Sequence, residues 1–218
     1  MMAALIAASA LIAPKEGPIA VAFVISEGAT MIDFAGPWEV FQDVEVPGRG
    51  SADADRMPFR LYTVSDTRAP IRTSGGMQVI PDYTFEDAPA PAIVVVGAQR
   101  GRSKQMLDWL RRAADRSQVL MSVCTGAYKL AMAGLLDGKK ASTHHQFQDD
   151  FQRRFPQVSL QRGVRYVQSD PVIFTAGGLA AGIDLALHVV ELYFGREVAA
   201  QTARMMEYEG KGWLQPGG

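Results

Sequence analysis

The chain has 218 residues, 48% hydrophobic and 21% charged, with a formal net charge of −1; this suits one globular α/β domain, or at most two small ones, with a sizeable core. Its basic and acidic residues are interspersed and give no electrostatic footprint for nucleic acid or an anionic membrane, so a small molecule or a protein is the expected partner. A single cysteine, Cys124, excludes an intramolecular disulfide, and with no CxxC pair and only His144, His145 and His188 as histidines, neither a zinc site nor any other metal or cofactor is expected.

The opening "MMAALIAASALIAPKEG" is apolar only to about Ala13, well short of the about 20 residues needed to span a bilayer. It has signal-peptide length and a small-residue site around Ala8 and Ala10, but no basic n-region. Two readings stay open: a clipped signal sequence on an exported protein, or a helical arm that packs on the domain or a second subunit of a cytoplasmic one. Residues 1–18 are therefore set apart from a single domain over 19–218.

From Ile19 the chain becomes regular. "IAVAFVIS" is the short β-branched run of a buried parallel strand, and "TMIDFAGPWEVFQDV" reads as a helix with Pro37 near its front, where a missing N–H does least harm. "EVPGRGSADADRMP" is a polar, Gly/Pro-punctuated loop, either a solvated excursion or a lid over a site. "FRLYTVS" is the next strand, and "APIRTSGGMQVIPDYTFED" is a β-rich connection. "AIVVVGA" is the plainest buried strand; the helix "SKQMLDWLRRAADR" follows, capped by Ser103, with Met106, Leu107, Leu110 and Ala114 at helical spacing. "QVLMSV" runs straight into Cys124, and "TGAYKLAMAGLL" is a helix closed by "DG". Then "ASTHHQFQDDFQRRF" gives a strand and a helix, "VRYVQSDPVIFTAGG" two strands around an Asp-Pro turn, "LAAGIDLALHVVELYFG" a helix stopped by Gly195, and "REVAAQTARMMEY" the last helix. This alternation predicts an α/β fold with a parallel sheet covered on both faces.

Cys124 thus falls between a parallel strand and its following helix, at the carboxyl edge where doubly wound sheets place their ligands. A helix N-terminus there favours thiolate over thiol and offers N–H groups to a developing oxyanion. Gly126 permits a tight elbow. The same position also suits a small buried hydrophobe, and spacing alone keeps both readings open.

"SVCTGAYKLAMAGLLDGKKASTHH", "TMIDFAGPWEVF" and "TAGGLAAGIDLALHVVE" together resemble the ThiJ/PfpI superfamily, in particular isocyanide (isonitrile) hydratases and the amidotransferase-like ligand domains of AraC-type regulators. The resemblance runs from about Ile19 to Tyr208 and implies a three-layer α/β/α sandwich, with the mostly parallel, flavodoxin-like sheet of class I glutamine amidotransferases. It implies Cys124 as nucleophile, Asp33 as catalytic acid and Thr125 as an assisting neighbour. Asp33 suits that task only if burial raises its pKa toward neutrality, and its competing role is to cap the helix. By resemblance Gly177 and Gly178 lie on a loop beside the site, and Gly97-Ala98 stand where many relatives have Gly-Gly, so that Ala98 N–H faces the nucleophile as an oxyanion donor. His144 stands where several members also have a histidine, and either pairs with the cysteine or merely satisfies backbone groups. His145 replaces an aromatic residue and alters the pocket, while His188 reads as a core residue.

The implied activity is cysteine-dependent: hydration of an isocyanide to an N-substituted formamide. Two alternatives stand beside it. One is a glyoxalase, deglycase or amidase-like enzyme, against which Asp33 counts, because a glutamate is common there; the other is a non-catalytic ligand- or redox-sensing module. An AraC-type regulator needs a helix-turn-helix domain, which is not read before Gly218, so direct DNA binding is not expected. A homodimer is implied.

Overall fold

The computed structural model describes residues 11–214. The expected arm over residues 1–18 thus lies largely outside the described residues. Of its described part, Leu11 N–H donates to the Leu192 carbonyl at 3.0 Å, and Leu11 and Ala13 pack on the core.

In chain order the elements are β1 (Ile19–Val24), α1 (Met31–Gln42), β2 (Phe59–Ser65), the short strands β3 (Ile71–Arg72), β4 (Gln78–Val79) and β5 (Tyr83–Thr84), then β6 (Ile93–Val96), α2 (Lys104–Ala114), β7 (Val119–Ser122) and α3 (Ala127–Met132). They continue as β8 (Lys140–Ala141), α4 (Gln148–Arg154), β9 (Ser159–Leu160), β10 (Tyr166–Gln168), β11 (Ile173–Ala176), α5 (Ala181–Phe194) and α6 (Arg196–Met205). The main sheet runs β10-β11-β7-β6-β1-β2-β5. It is parallel except where β10 meets β11, the hairpin closed by the Asp-Pro turn.

This flavodoxin-like arrangement follows from strands apolar on both sides, since every residue of β6 and β7 is buried. Side chains of one parity, such as Val21, Phe23 and Val95, face α1, α5 and α6, while Ala22, Val24, Val94 and Val96 face α2, α3 and α4. Strand order reverses at β1, which has β2 on one side and β6 on the other. The crevice above the carboxyl ends of β1 and β6 is therefore the topological switch point, where ligands bind in open α/β sheets.

Several local expectations change. α1 starts at Met31, making Pro37 the seventh of its 12 residues rather than a leading one. Its missing N–H leaves the Asp33 carbonyl without its helical donor. Thr30, not Asp33, holds the N-cap position. The buried stripe of α2 is Met106, Trp109, Leu110 and Ala113, one step round from the one read in sequence, with Ser103 capping through a 3.0 Å bond from Met106 N–H. The polar loop before β2 is not a lid. Its buried Arg49 donates to the Gly17 carbonyl at 2.5 Å, and Pro58 accepts from Ile19 N–H, so it lies at the amino end of β1, away from the carboxyl edge.

Candidate active site

Three chain reversals meet at the switch point: the first turn of α1 after β1, the Gly97-Ala98 bend after β6, and Cys124 after β7. Cys124 has φ 58°, a left-handed conformation uncommon for a residue with a Cβ. It opens a tight three-residue turn, Cys124–Gly126, that feeds α3. Two distant segments hold this strained residue: its N–H donates to the Gly177 carbonyl at 2.8 Å, and its own carbonyl accepts the Thr143 hydroxyl at 2.9 Å. Gly126 has an ordinary helical φ; what it lacks is room, for a Cβ there would land on the Val96 carbonyl oxygen and 3.2 Å from that of Gly97. Gly126→Ala will therefore cost about 1–3 kcal/mol by overpacking against the strand end, read as a lower urea midpoint at unchanged m-value.

Asp33 is fully buried, and its Oδ2 accepts the Ala98 N–H at 2.9 Å. Gly97 makes this approach possible, since a Cβ there would lie 2.7 Å from Asp33 Cβ. Oδ1 has no well-formed hydrogen bond among the described residues; the Cys124 thiol and the Leu179 N–H stand close to the carboxylate. Burial raises the Asp33 pKa from 3.8 to about 6, against the bonds from Ala98, Cys124 and Leu179 that lower it.

The thiol departs from the sequence expectation. Burial, followed by the negative charge of Asp33, pushes Cys124 up to about 12, and the N–H groups of Thr125 and Leu179 offset this only in part. At neutral pH the resting pair is thus a thiol facing a mostly ionised carboxylate. One short turn of N–H groups does not outweigh desolvation at 6% exposure beside an anion.

Ala98 also departs from its expected role as an oxyanion donor, because its N–H is engaged by Asp33 and holds the carboxylate instead. The amide that does face the pair belongs to Leu179, at φ 53° on the loop just after Gly178. A leucine's contribution through its N–H leaves no signature in sequence; the neighbouring Gly-Gly was the available clue. Gly177 supplies the carbonyl that holds Cys124, and Gly178 is bare because a Cβ would collide with the His144 ring.

His144 packs on that loop, its Nδ1 accepting Gln146 N–H at 3.2 Å and its ring stacked on His145 at 4.4 Å. Burial, then the neighbouring His145, lowers its pKa, and the charged and hydrogen-bonding groups that act on the Cys124 thiol are Asp33, Thr125 and Leu179. His188 stacks on Tyr166 at 4.9 Å, deep in α5. Trp213 is buried against the core, and Tyr166 donates to its carbonyl at 3.1 Å.

Two hollows are lined by neighbours of the pair, though by neither Cys124 nor Asp33 itself. One, about 270 Å³, is lined by Thr143, His144, Arg165 and Leu179. The other, about 310 Å³, is lined by Thr125, Tyr128, Lys129 and Arg102. Larger hollows of about 710 and 760 Å³ lie along α6, remote from the cysteine. Among the described residues no group of three acidic, histidine or cysteine side chains is placed to hold a metal, and no helix is long and apolar enough to cross a membrane.

Comparison with known proteins agrees with this geometry. The chain is 31% identical over 199 residues to the HTH-type transcriptional regulator GbdR of Pseudomonas aeruginosa, covering 89% of this chain and 52% of that one; it spans about half that relative's length. It is 30% identical over 193 residues to the isonitrile hydratase of Pseudomonas putida, covering 86% of this chain and 78% of that one. Among solved structures, a ThiJ/PfpI family protein from Pseudomonas syringae superposes with TM-score 0.73 at 25% identity, over 91% of this chain and 78% of that one. An AraC family transcriptional regulator from Pseudomonas putida shares the fold at TM-score 0.72 and 20% identity, over 87% of this chain and 100% of that one. The model of the DJ-1/PfpI family matches residues 20–192, which takes in Asp33, the Gly97-Ala98 bend, the Cys124 elbow and the Gly177-Gly178 loop. The chain belongs to the DJ-1/PfpI family.

Proposed function

We propose that the chain, with residues 19–218 as one domain, is a cysteine-dependent enzyme of small molecules, and most specifically that it hydrates an isocyanide to an N-substituted formamide. One observation carries this reading: a fully buried carboxylate with a pKa near 6 lies beside the Cys124 thiol. Proton transfer between such partners is efficient when the acceptor's pKa lies near the working pH.

In this mechanism Asp33 takes the thiol proton as Cys124 sulfur bonds to the terminal isocyanide carbon, and the protonated Asp33 then delivers that proton to the same carbon. Addition of S–H across the carbon gives a thioimidate. Water attacks it, one of its protons passing to nitrogen, and the resulting tetrahedral adduct expels sulfur, which regains its proton from the new hydroxyl through Asp33. Net consumption is one water per isocyanide. The Leu179 N–H faces the pair and suits a partial negative charge there. His144 is left in a pocket-shaping role, because the groups acting on the thiol are Asp33, Thr125 and Leu179.

A second reading, a ligand-sensing module, is favoured by the comparable identity to GbdR over most of this chain. The redox variant of that reading needs the same removal of the thiol proton as the enzyme does, because oxidation proceeds through the thiolate and burial raises the thiol's pKa. A homodimer and a cytoplasmic location, the latter suited to a lone reduced thiol, complete the proposal.

The test is incubation of the purified protein with an alkyl and an aryl isocyanide, following the formyl proton by NMR. Formamide should appear with wild type and vanish with Cys124→Ala. Equal traces from the two proteins, on both substrates, overturn the enzyme reading.

A further inference from the structure

Lys129, in the middle of α3, is 6% exposed, yet the described residues place no carboxylate in ion-pair reach of its ammonium. An unpaired buried cation is costly, and buried charges in folded proteins are paired or hydrogen-bonded. Lys129 lines the 310 Å³ hollow with Thr125 on the same helical face, one turn away and adjacent to Cys124. Two exposed guanidinium groups, Arg100 and Arg102, stand at the hollow's margin. The acid there, Asp150, is already engaged by Arg153 and Arg154, each at 2.8 Å, and by the Tyr128 hydroxyl at 2.9 Å. The hollow is therefore cationic, with the Lys129 ammonium lacking a counterion at its wall on an otherwise enclosed side chain, while Tyr128, Met132 and Phe147 supply apolar wall.

We propose that this hollow is a carboxylate subsite, in which Lys129 takes the anionic end of a small organic monocarboxylate whose remainder extends past Thr125. The Asp150 carboxylate in the lining disfavours a dianion such as phosphate, and the apolar wall favours an organic body. The subsite rests on the reading of Cys124 as reaction centre only for the direction in which the ligand extends. Binding itself needs no turnover. Burial, with the Arg102 charge behind it, depresses Lys129 to about 8, so a bound carboxylate also restores the ammonium and takes up a proton near that pH.

Calorimetric titration of the full chain with benzoate, benzamide and inorganic phosphate tests this, in parallel on Cys124→Ala, Lys129→Met and Arg102→Gln. Benzoate should bind at least about tenfold more tightly than its neutral amide, equally well to wild type and Cys124→Ala, and its affinity should fall as pH rises from about 7 to 9. Lys129→Met should lose at least about tenfold in benzoate affinity with unfolding midpoints no lower than wild type, because a lone buried charge has been removed. Arg102→Gln should weaken benzoate binding and flatten its salt dependence. Benzamide binding as well as benzoate, phosphate binding in place of benzoate, or an unaltered Lys129→Met overturns the subsite. Should Lys129→Met not fold, unchanged affinity in Arg102→Gln together with no decline to pH 9 overturns it equally. A chain that hydrates no isocyanide but passes these arms retains the subsite and loses only the proposed reaction.

Discussion

Asp33→Asn will lower formamide production by about 10²–10⁴-fold and at the same time make the protein more stable at neutral pH. The amide keeps the shape of the carboxylate and accepts the Ala98 N–H, but it cannot receive the thiol proton, so the sulfur stays protonated and unreactive. The stability gain has the opposite origin. Folding lifts the Asp33 pKa from 3.8 to about 6, a change worth about 3 kcal/mol. Because the folded value is the higher one, this stabilisation is fully present below about pH 4 and is lost as pH rises through about 6. Urea unfolding of wild type should therefore show a loss of up to about 3 kcal/mol between acid and neutral pH that the asparagine variant lacks. Identical pH trends in the two proteins would mean that Asp33 is not held at a raised pKa. Retained turnover in the variant would remove it as the proton acceptor. Such a gain in stability on loss of an active-site charge is the usual signature of a group kept for function.

Arg165→Met will cost about 3 kcal/mol, without touching the reacting pair. Asp184, on α5, is 1% exposed and is held by Arg165 through Nε at 2.6 Å and through a second guanidinium nitrogen, with the Tyr208 hydroxyl at 3.1 Å. Gly212 lies directly against it, where a Cβ would lie 2.5 Å from Oδ2. The cluster fastens the last turns of the chain to the start of α5, and Arg165 also lines the hollow beside Leu179. Removing the cation leaves a buried carboxylate whose replacement partners are limited to Tyr208 and water. Arg165 is itself 41% exposed, which lets water in and places the cost at the low end of the range for broken buried pairs. At about 2–4 °C per kcal/mol for a chain of this size, the melting temperature should drop by about 6–12 °C. Adding Asp184→Leu should recover most of it, since removing both partners leaves no orphaned charge. A double variant no better than the single one would locate the effect in lost packing.

Much of the architecture was legible because parallel strands buried on both faces announce themselves, as in the uninterrupted Ile93–Val96 and Val119–Ser122. Cys124 was legible as a strand-end position and Asp33 only through the family resemblance, and the structure puts them side by side. The rest depended on contacts between distant residues. The helix in "TMIDFAGPWEVF" begins directly after Thr30, whose side chain makes no capping bond, and Pro37 falls in its middle rather than near its front. The protonation of the thiol depends on burial and on a carboxylate brought from another segment. Leu179 acts through its backbone, and the enclosure of Lys129 comes from packing.

The bond from Cys124 N–H to the Gly177 carbonyl also constrains when the elbow exists at all. Its brace comes from the far side of a hairpin and a crossover, so it is a long-range contact that forms only once β11 has docked beside β7. A nascent chain that has emerged only as far as α4 carries the cysteine on a strand edge with no reason to adopt a positive φ. In native-state hydrogen exchange, the Cys124 amide should accordingly share its opening free energy with the amides of β11 rather than with those of α3, which follows it in sequence. Reactivity at this sulfur is thus a property of the finished sheet and arrives late in folding.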